Sequence, residues 1–286
     1  MQPAKKILDK ARRGGYAIGA FNAANIETVK AIIQAAEKLK SPVIIEASPG
    51  EADFIGIENL ASIVENFRHA TGLPILINLD HANDPKNILR AAKAGFDILH
   101  YDGSKLPINQ NLKVAKKLIP KLHQMKKVVE IEISHITGSS EFHATDNVKD
   151  FQIKSDYTKP DEAAYFLKQT QADILAVFVG NVHGVFTGPE MIDHPQLKKI
   201  RRAVKTNFSL HGGSGIPGRE VRKAIKSGIV KVNVNTELRL AYRHALETAL
   251  KNTSEAAIYK IMPDVITAVQ KVVEEKIKIF GSAGKA

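Results

Sequence analysis

Residues 75–102 read ILINLDHANDPKNILRAAKAGFDILHYD, and this stretch decides the fold. The apolar run Ile75–Asp80 has the composition of a strand that is buried on both faces. Pro85–Ala94 begins with an Asp–Pro helix-entry signal and ends at a glycine, which is typical of a short helix. Ile98–Asp102 has the composition of a second buried strand. The stretch therefore predicts a strand–helix–strand unit of a parallel sheet.

The same alternation of short apolar runs and amphipathic stretches fills most of the chain. Further strands are predicted at Ala17–Asn22, Val43–Ala47, Val128–Ile133, Ile174–Val179, Phe208–His211 and Val230–Asn235. Further helices are predicted at Glu27–Lys40, Asp161–Thr170 and Arg219–Ser227. Eight strands, most of them followed by a helix, indicate an α/β (β/α)8 TIM barrel, with an open doubly wound sheet as the alternative. The 286 residues fit a single barrel domain over residues 1–286.

Two segments go beyond the repeating units. Ser134–Lys159 lacks periodicity and is rich in small polar residues, so we predict a long loop that covers the site. Ser254–Phe280 is an extra C-terminal helical region whose apolar positions can pack on the barrel or on another subunit. The small polar residues after Gly281 are expected to fray.

The bulk composition limits the function classes. Hydrophobic residues make up 44% and charged residues 25% of the chain, as in ordinary globular proteins. The absence of cysteine fits a reducing compartment, and we expect a cytoplasmic location. No run of about 18 apolar residues occurs, so we expect no membrane span. The net charge of +11 is spread along the chain without a nucleic-acid-binding motif, and we expect no nucleic-acid partner.

Polar residues that can do chemistry cluster at the carboxyl ends of the predicted strands. Barrel enzymes build their active sites at this face. The residues are Asp80–His81, Asp102–Ser104, Glu130, Glu132, Asn181, His183–Gly184, His211–Gly215, Asn233 and Asn235–Thr236. We expect them to meet around one cavity.

Three of these residues are histidines, namely His81, His183 and His211, each at a strand end or just after one. Three imidazoles with a free fourth position make a catalytic zinc site. Asp80 adjoins one of the histidines and is a candidate for proton transfer. Lys231 is the candidate for a rival Schiff-base mechanism, and the three histidines argue against it.

Two segments are suited to hold a phosphate group. His211–Gly215 reads HGGSG, in which glycines let backbone N–H groups approach an anion closely and the serine adds a hydroxyl. Asn233–Thr236 reads NVNT and follows the last predicted strand. Barrel phosphate sites are commonly built from the loops after strands 7 and 8, so we expect phosphate here, with plain turns as the alternative.

At these residues the sequence closely resembles the class II fructose-bisphosphate and tagatose-bisphosphate aldolases, from about Ile7 to Tyr242. The matching segments, in chain order, are Ala20–Asn22, Leu79–His81, Tyr101–Ser104, Val129–Glu132, Gly180–Gly184, Leu210–Pro217 and Lys231–Thr236. The resemblance implies a TIM barrel, a metal-dependent aldol reaction and a phosphorylated sugar as the substrate.

The resemblance also implies roles for individual residues. The metal would be held by His81, His183 and His211, with an alternative metal position at Asp102 and Glu132. Asp80 would move the proton on the C4 oxygen. Dihydroxyacetone phosphate would be held by Gly184, Gly212, Gly213, Ser214, Asn233, Val234, Asn235 and Thr236. Ser48 would lie near the aldehyde, and Asn22 is a further substrate-binding candidate. The expected cofactor is catalytic Zn²⁺, and a monovalent cation such as Na⁺ or K⁺ is compatible with the family.

The loop after the fifth strand departs from the family pattern. The glutamate that exchanges a proton at the substrate C3 falls on Ser140, and Glu141 lies one residue later. A serine with an ordinary pKa is a poor acid or base. We predict that Glu141 takes the role, with His143 or Asp146 as the alternative.

Two further departures concern phosphate. Thr187 stands where many members of the family carry a lysine that can help to bind phosphate. Glu51 lies beside the expected sugar site, where its charge could repel a second phosphate or point to solvent.

The leading functional hypothesis is a zinc aldolase that reversibly cleaves fructose 1,6-bisphosphate or tagatose 1,6-bisphosphate to dihydroxyacetone phosphate and glyceraldehyde 3-phosphate. One alternative is an aldolase that acts on a different ketose phosphate. The other is a sugar-phosphate-binding relative with impaired turnover, because Ser140 replaces the glutamate. We expect a homodimer or a homotetramer, since family members are generally oligomeric.

Overall fold

The computed structural model describes residues 3–286. Eight parallel strands close into a barrel, which confirms the predicted TIM barrel and excludes the open sheet. The barrel strands are β1 Ile18–Asn22, β2 Val43–Ala47, β3 Ile75–Ala82, β4 Ile98–Asp102, β5 Val128–Glu132, β7 Ile174–Ala176, β9 Asn207–Leu210 and β10 Ile229–Val234. Two further strands, β6 Gly138–His143 and β8 His183–Phe186, form a separate parallel sheet.

Helices cover the outside of the barrel. They are α1 Ala4–Gly14, α2 Ile26–Leu39, α3 Pro49–Ile55, α4 Ile57–Thr71, α5 Pro85–Ala94, α6 Ile108–Gln124, α7 Pro160–Thr170, α8 His194–Ala203, α9 Gly218–Lys226, α10 Thr236–Asn252 and α11 Ile258–Phe280. The predicted helix Pro85–Ala94 is α5, and its ends follow the sequence signals. The Asp84 side chain accepts a hydrogen bond from the Lys86 backbone N–H, and Gly95 ends the helix with a φ of 117°.

The amino end of the barrel is filled with apolar side chains. Ile7, Leu8 and Ala11 of α1 are buried against the first residues of the strands. The strand residues in this cluster are Ile18, Ala20, Ile44, Leu76, Ile98, Val128, Ile174 and Val230. Because α1 closes this end, the polar residues at the carboxyl ends of the strands are left to form the opening.

The chain after the barrel is more ordered than expected. Ile261, Val265, Val269, Val273 and Ile277 of α11 are buried, which shows that this helix packs on the barrel. The prediction that the tail frays was wrong. The backbone N–H groups of Gly284 and Ala286 donate to the carbonyls of Leu39 (2.8 Å) and Lys40 (3.0 Å), and Ser282 is buried.

The segment Ser134–Lys159 covers the opening, as predicted, but it is not an irregular loop. It contains β6, which pairs with β8, the strand that follows β7 in the chain. It also contains two short 3₁₀ turns at Val148–Asp150 and Lys154–Asp156. The strand was missed because its sequence, GSSEFH, is largely exposed and has no apolar alternation. Within residues 3–286, no helix is long and apolar enough to cross a membrane.

Candidate active site

A cavity of about 550 Å³ opens at the carboxyl end of the barrel. The predicted site residues that line it are Asn22, Ser48, Asp80, His81, Asp102, Glu132, His183, Gly184, His211, Gly212, Ser214, Asn233, Asn235 and Thr236. Glu141, Gly213 and Val234 are not among the residues that line it. Arg239, Lys105 and His135, which were not among the predicted site residues, also line it.

The end of β3 brings two consecutive residues, Asp80 and His81, to the same cavity. In a regular strand, neighbouring side chains point to opposite faces. Here the pairing with β4 shifts register between Leu79 and Ala82, and His81 has a φ of +48°. Such bulges re-aim side chains next to active sites. The left-handed backbone of His81 is unfavourable for a residue other than glycine, so the position holds local strain.

The three predicted histidines converge at the base of the cavity. The ring centroid of His81 lies 4.5 Å from that of His211 and 4.9 Å from that of His183. The rings of His183 and His211 lie 6.1 Å apart. The Nε2 of His81 lies 2.9 Å from the Nδ1 of His211. The donor atoms of His81 and His211 thus already lie close together, with His183 slightly farther out.

A fourth histidine, His100, lies beside this group and was missed in the sequence. Its donor atoms lie within 4.8 Å of those of Asp80, His81 and His211. The His81 backbone N–H donates to His100 Nδ1 (3.1 Å), and His100 is fully buried. Strand periodicity could have found it, because His100 stands two residues before Asp102 in β4 and faces the same side.

A group of carboxylates surrounds His81. Its Nδ1 lies 3.1 Å from Asp102 Oδ2 and 3.5 Å from Glu132 Oε2. Burial alone would lower the pKa of His81, but Asp80, Asp102 and Glu132 raise it to about 10. A positive charge is therefore strongly favoured at this point.

The same residues fit a divalent metal ion. The Oε2 of Glu132 and the Nε2 of His100 are buried 3.6 Å apart, and neither has a hydrogen-bond partner. Buried polar atoms without a partner are uncommon and call for an explanation such as an ion. Imidazole nitrogens and carboxylate oxygens are also the ligand types that zinc prefers in catalytic sites. The donor set and its unpartnered atoms are thus both suited to a metal.

Asp80 is held as a carboxylate. Its Oδ1 accepts a hydrogen bond from Asn233 Nδ2 (3.1 Å) and lies 3.3 Å from His100 Nδ1. Burial by itself would raise the pKa of Asp80, but the nearby positive charges of His81 and Lys231, together with the His100 contact, lower the pKa well below its ordinary value. A buried carboxylate that stays ionised beside the cavity is suited to accept a proton from substrate.

One layer below the cavity, three charged side chains are buried together. Lys231 Nζ lies 2.7 Å from Glu130 Oε2 and 3.4 Å from Glu46 Oε2, and all three residues are fully buried. Burial would lower the pKa of Lys231, but the two carboxylates raise it above its ordinary value. Lys231 does not line the cavity. A permanently protonated, enclosed lysine is unsuited to Schiff-base chemistry, which disfavours the rival mechanism.

The glycine-rich turn after β9 packs closely against the backbone of a neighbouring segment. Gly212 has a φ of +64°, and a Cβ at this position would overlap the carbonyl oxygen of Val182. The N–H of Gly213 is already used, because it donates to the Asn233 carbonyl (2.8 Å). Gly212, Ser214 and Thr236 line the cavity instead. They form one wall that is suited to bind an anion.

The segment above the cavity presents Ser140 rather than Glu141. Ser140 lines the cavity, whereas Glu141 is exposed on β6. His143 lies closer to the cavity wall. Its Nε2 lies 3.1 Å from the Ser139 carbonyl and its Nδ1 lies 2.8 Å from Asp146 Oδ2.

Comparison with known proteins agrees with this geometry. The family model of class-II fructose-bisphosphate aldolases matches residues 2–285. This chain belongs to that family. The family is metal-dependent, and its members are lyases that act on phosphorylated sugars.

Relatives of this class-II aldolase align over almost the whole chain. A fructose-bisphosphate aldolase of Streptococcus pneumoniae is 36% identical over 99% of this chain and 98% of its own length. One of Thermus caldophilus is 34% identical over 98% of each chain. Among solved structures, the YdjI aldolase from Escherichia coli K12 has a TM-score of 0.85 and is 30% identical, with 100% of both chains covered.

Proposed function

We propose that this class-II aldolase reversibly cleaves a ketose phosphate to dihydroxyacetone phosphate and an aldehyde, through a zinc-stabilised enediolate. In the family's bisphosphate reaction the substrate is fructose 1,6-bisphosphate or tagatose 1,6-bisphosphate, and the aldehyde is glyceraldehyde 3-phosphate. The observation that carries the proposal is the convergence of His81, His183 and His211 beside the ionised Asp80 at the base of one cavity.

His81, His183 and His211 would hold the zinc, and Asp102 and Glu132 would offer a second position nearby. When bound, zinc supplies Lewis-acid polarisation of the substrate carbonyl, which stabilises the negative charge left by C3–C4 cleavage. A monovalent cation such as Na⁺ or K⁺ is a second candidate cofactor. The strained His81 and the buried His100 beneath it fix the direction of the imidazoles before substrate arrives.

Asp80 would take the proton from the C4 hydroxyl as the bond breaks and return it in the condensation direction. The carboxylate is ionised at neutral pH, which is the state that a proton acceptor needs. The amide of Asn233 holds the carboxylate in place. Gly184, Gly212, Ser214 and Thr236 would bind the phosphate of dihydroxyacetone phosphate, with Asn233 and Asn235 beside its hydroxyls.

The group that exchanges the proton at the C3-derived carbon is open to two candidates. Glu141 is exposed on β6 and would have to turn toward the cavity with its strand. His143 is paired with Asp146 and packs against the backbone of Ser139, a residue of the cavity wall. Glu141→Ala and His143→Ala variants assign the role by the loss of hydrogen exchange at this carbon in dihydroxyacetone phosphate, measured by NMR in D₂O.

The main test is aldol cleavage of fructose and tagatose 1,6-bisphosphates, and of the corresponding 1-phosphates, by the purified protein. The assay is run on the protein as purified, after chelation and after zinc is restored, with Asp80→Ala as the inactive control. We expect cleavage to disappear on chelation, to return with zinc and to fall by about 10²–10⁴-fold in Asp80→Ala. Activity that survives complete removal of metal would contradict the proposal.

A second candidate function is favoured by one observation, the replacement of the loop glutamate by Ser140. It is a sugar-phosphate-binding protein with impaired turnover, which would bind dihydroxyacetone phosphate in the presence of zinc without cleaving any of the four ketose phosphates. We further propose a homodimer or homotetramer that acts in the cytoplasm. Analytical ultracentrifugation tests the assembly, because a monomer at micromolar concentration would contradict it.

A further inference from the structure

One side of the cavity mouth is a group of hydrogen-bond donors gathered around a single carboxylate, that of Glu51. The Oε2 of Glu51 accepts from Asn22 Nδ2 (2.8 Å), from the Ser48 backbone N–H (2.9 Å) and from Ser48 Oγ (3.0 Å). Its Oε1 pairs with the Arg239 guanidinium and lies 3.5 Å from Asn235 Nδ2. Asn22, Ser48, Asn235 and Arg239 all line the cavity.

Helix capping explains only part of this arrangement. Glu51 is the third residue of α3, and its contact with the Ser48 N–H is half of a capping box. Such a box needs no further partner. The other donors come from three separate places: Asn22 ends β1, Asn235 follows β10, and Arg239 belongs to α10. Their convergence gathers donors suited to an anion on one side of the cavity mouth.

The composition of the group matches that of a phosphate or carboxylate site. It combines a guanidinium, two side-chain amides, a hydroxyl and a backbone N–H. Arginine is the cation that recognises such anions best, because its planar fork donates two parallel hydrogen bonds. In this chain the anion is the protein's own. The side chain of Glu51 is only 10% exposed, so it sits within the group rather than in solvent.

Glu51 therefore competes with any anion on the substrate at this end. A phosphate group here would find its donors already engaged and would meet a negative charge at contact distance. A hydroxyl group carries no charge and can share the same donors. A fixed repulsive charge is an effective way to reject one ligand while another is accepted.

Resting on the aldolase function proposed above, we infer that Glu51 determines the specificity for the aldehyde half of the substrate. It selects an aldehyde that carries hydroxyl groups and no phosphate. The preferred ketose is then a 1-phosphate rather than a 1,6-bisphosphate. Phosphate is recognised only at the dihydroxyacetone end, through the turn after β9.

The condensation direction tests this inference most directly, because the two reactions differ only in the aldehyde. Zinc-loaded protein is supplied with dihydroxyacetone phosphate and either D-glyceraldehyde or D-glyceraldehyde 3-phosphate. Consumption of dihydroxyacetone phosphate gives kcat/KM for each aldehyde. This readout does not depend on the configuration of the new carbon centre, so it is independent of the choice between fructose and tagatose products.

We expect the wild-type protein to prefer D-glyceraldehyde. In Glu51→Gln and Glu51→Ala the ratio of the two kcat/KM values should move toward the phosphorylated aldehyde by roughly tenfold or more, because one negative charge beside a dianion is removed. Glu51→Gln keeps an acceptor for the Ser48 N–H, so the start of α3 is preserved. Asp53 is an exposed residue of the same helix. Asp53→Asn also removes one negative charge, so it is the matched control and should leave the ratio unchanged.

The outcomes separate this inference from the function on which it rests. If neither aldehyde is consumed by the zinc-loaded protein, the proposed aldolase function fails and the inference falls with it. If aldehyde is consumed, the aldolase function stands. The inference alone is then overturned if the wild-type protein prefers the phosphorylated aldehyde, or if Glu51→Gln leaves the ratio unchanged. A shift of equal size in Asp53→Asn would likewise overturn it, because the effect would then be one of general charge.

Discussion

The barrel contains two polar layers that hold charge in opposite ways. The upper layer lies at the strand ends and includes the histidine cluster, Asp80 and Glu132. It has a strained residue, His81, and a carboxylate oxygen of Glu132 without a partner. The lower layer consists of Glu46, Glu130 and Lys231, and its charges are paired within it, because the lysine contacts both carboxylates and only Glu46 Oε1 has no partner. We call these two groups the upper and lower layers.

The difference shows which charges serve the fold and which are left for a ligand. The charges of the lower layer are paired with one another, so breaking these pairs should affect stability first. The upper layer is incomplete without an ion, so its removal should affect binding and turnover first. The layers are joined where Glu130 Oε1 lies 2.7 Å from His211 Nε2, and again through the Asn233 amide, which donates to both Asp80 and Glu46. Variants in each layer can test how far this division holds.

The largest effect should come from opening the lower layer. Lys231→Met leaves the Glu130 carboxylate buried without its counter-charge. Removing one partner of a buried ion pair typically lowers the free energy of unfolding by about 3–5 kcal/mol. Urea denaturation of the zinc-free protein measures the change.

Two variants accompany this experiment. Lys226→Met, on the exposed face of α9, should stay within about 0.5 kcal/mol of wild type. Adding Glu46→Gln and Glu130→Gln to Lys231→Met should recover much of the lost stability, because no buried charge then remains unpaired. A triple variant as unstable as Lys231→Met would show that packing, and not charge, holds the layer together.

Breaking the contact between Glu130 and His211 should have an effect of intermediate size, and this effect should be on metal binding. Glu130 orients the His211 ring and makes it a better ligand, as carboxylates behind metal-bound histidines generally do. Glu130→Gln should weaken zinc binding by about 10–100-fold. Competition with a chromophoric chelator measures this affinity. Glu220 makes a similar pair with His194, at 2.8 Å, but this pair lies away from the cavity. Glu220→Gln is therefore the control and should leave zinc affinity unchanged. Equal affinities in all three proteins would mean that the lower layer does not act on the metal site.

The one unpaired atom of the lower layer predicts a pH effect. Burial and the nearby Asp80 raise the pKa of Glu46 from about 4.5 to about 8, and its Oε1 has no partner. Between these pH values the folded state binds the proton and the unfolded state does not. The free energy of unfolding should therefore fall as pH rises through this window, by at most about 1.4 kcal/mol per pH unit. Glu46→Gln should remove this slope, so its stability relative to wild type should increase from pH 5 to pH 8 in denaturation of the zinc-free protein. Parallel slopes for the two proteins would contradict a raised pKa.

Much of both layers follows from strand periodicity. The predicted histidines and Asp80 stand at the ends of apolar runs, and a closed barrel brings such ends together. Period-two alternation would also have placed His100 beside Asp102, and Glu130 beside Glu132, on the inner face. All four residues were within reach of the sequence, and only His100 was not predicted there.

The remaining features depend on contacts between distant segments. The bulge at His81 is set by the register of β3 against β4, which no local pattern encodes. The partners of Glu51 come from β1, the turn after β10 and α10, so only the folded chain shows that its carboxylate is enclosed. The strand β6 exists because β8 pairs with it, and its own sequence is too polar to predict it.

The smallest effect concerns the strain in the upper layer. Because His81 has a φ of +48°, glycine should fit its backbone better than alanine. In the zinc-free protein, His81→Gly should be more stable than His81→Ala by up to about 1 kcal/mol. His183 has no such backbone, so His183→Gly should be less stable than His183→Ala by about 0.5–1 kcal/mol. All four variants lose a metal ligand, so only the sign of the glycine–alanine difference separates the two sites. The same sign at both would mean that His81 is held without strain.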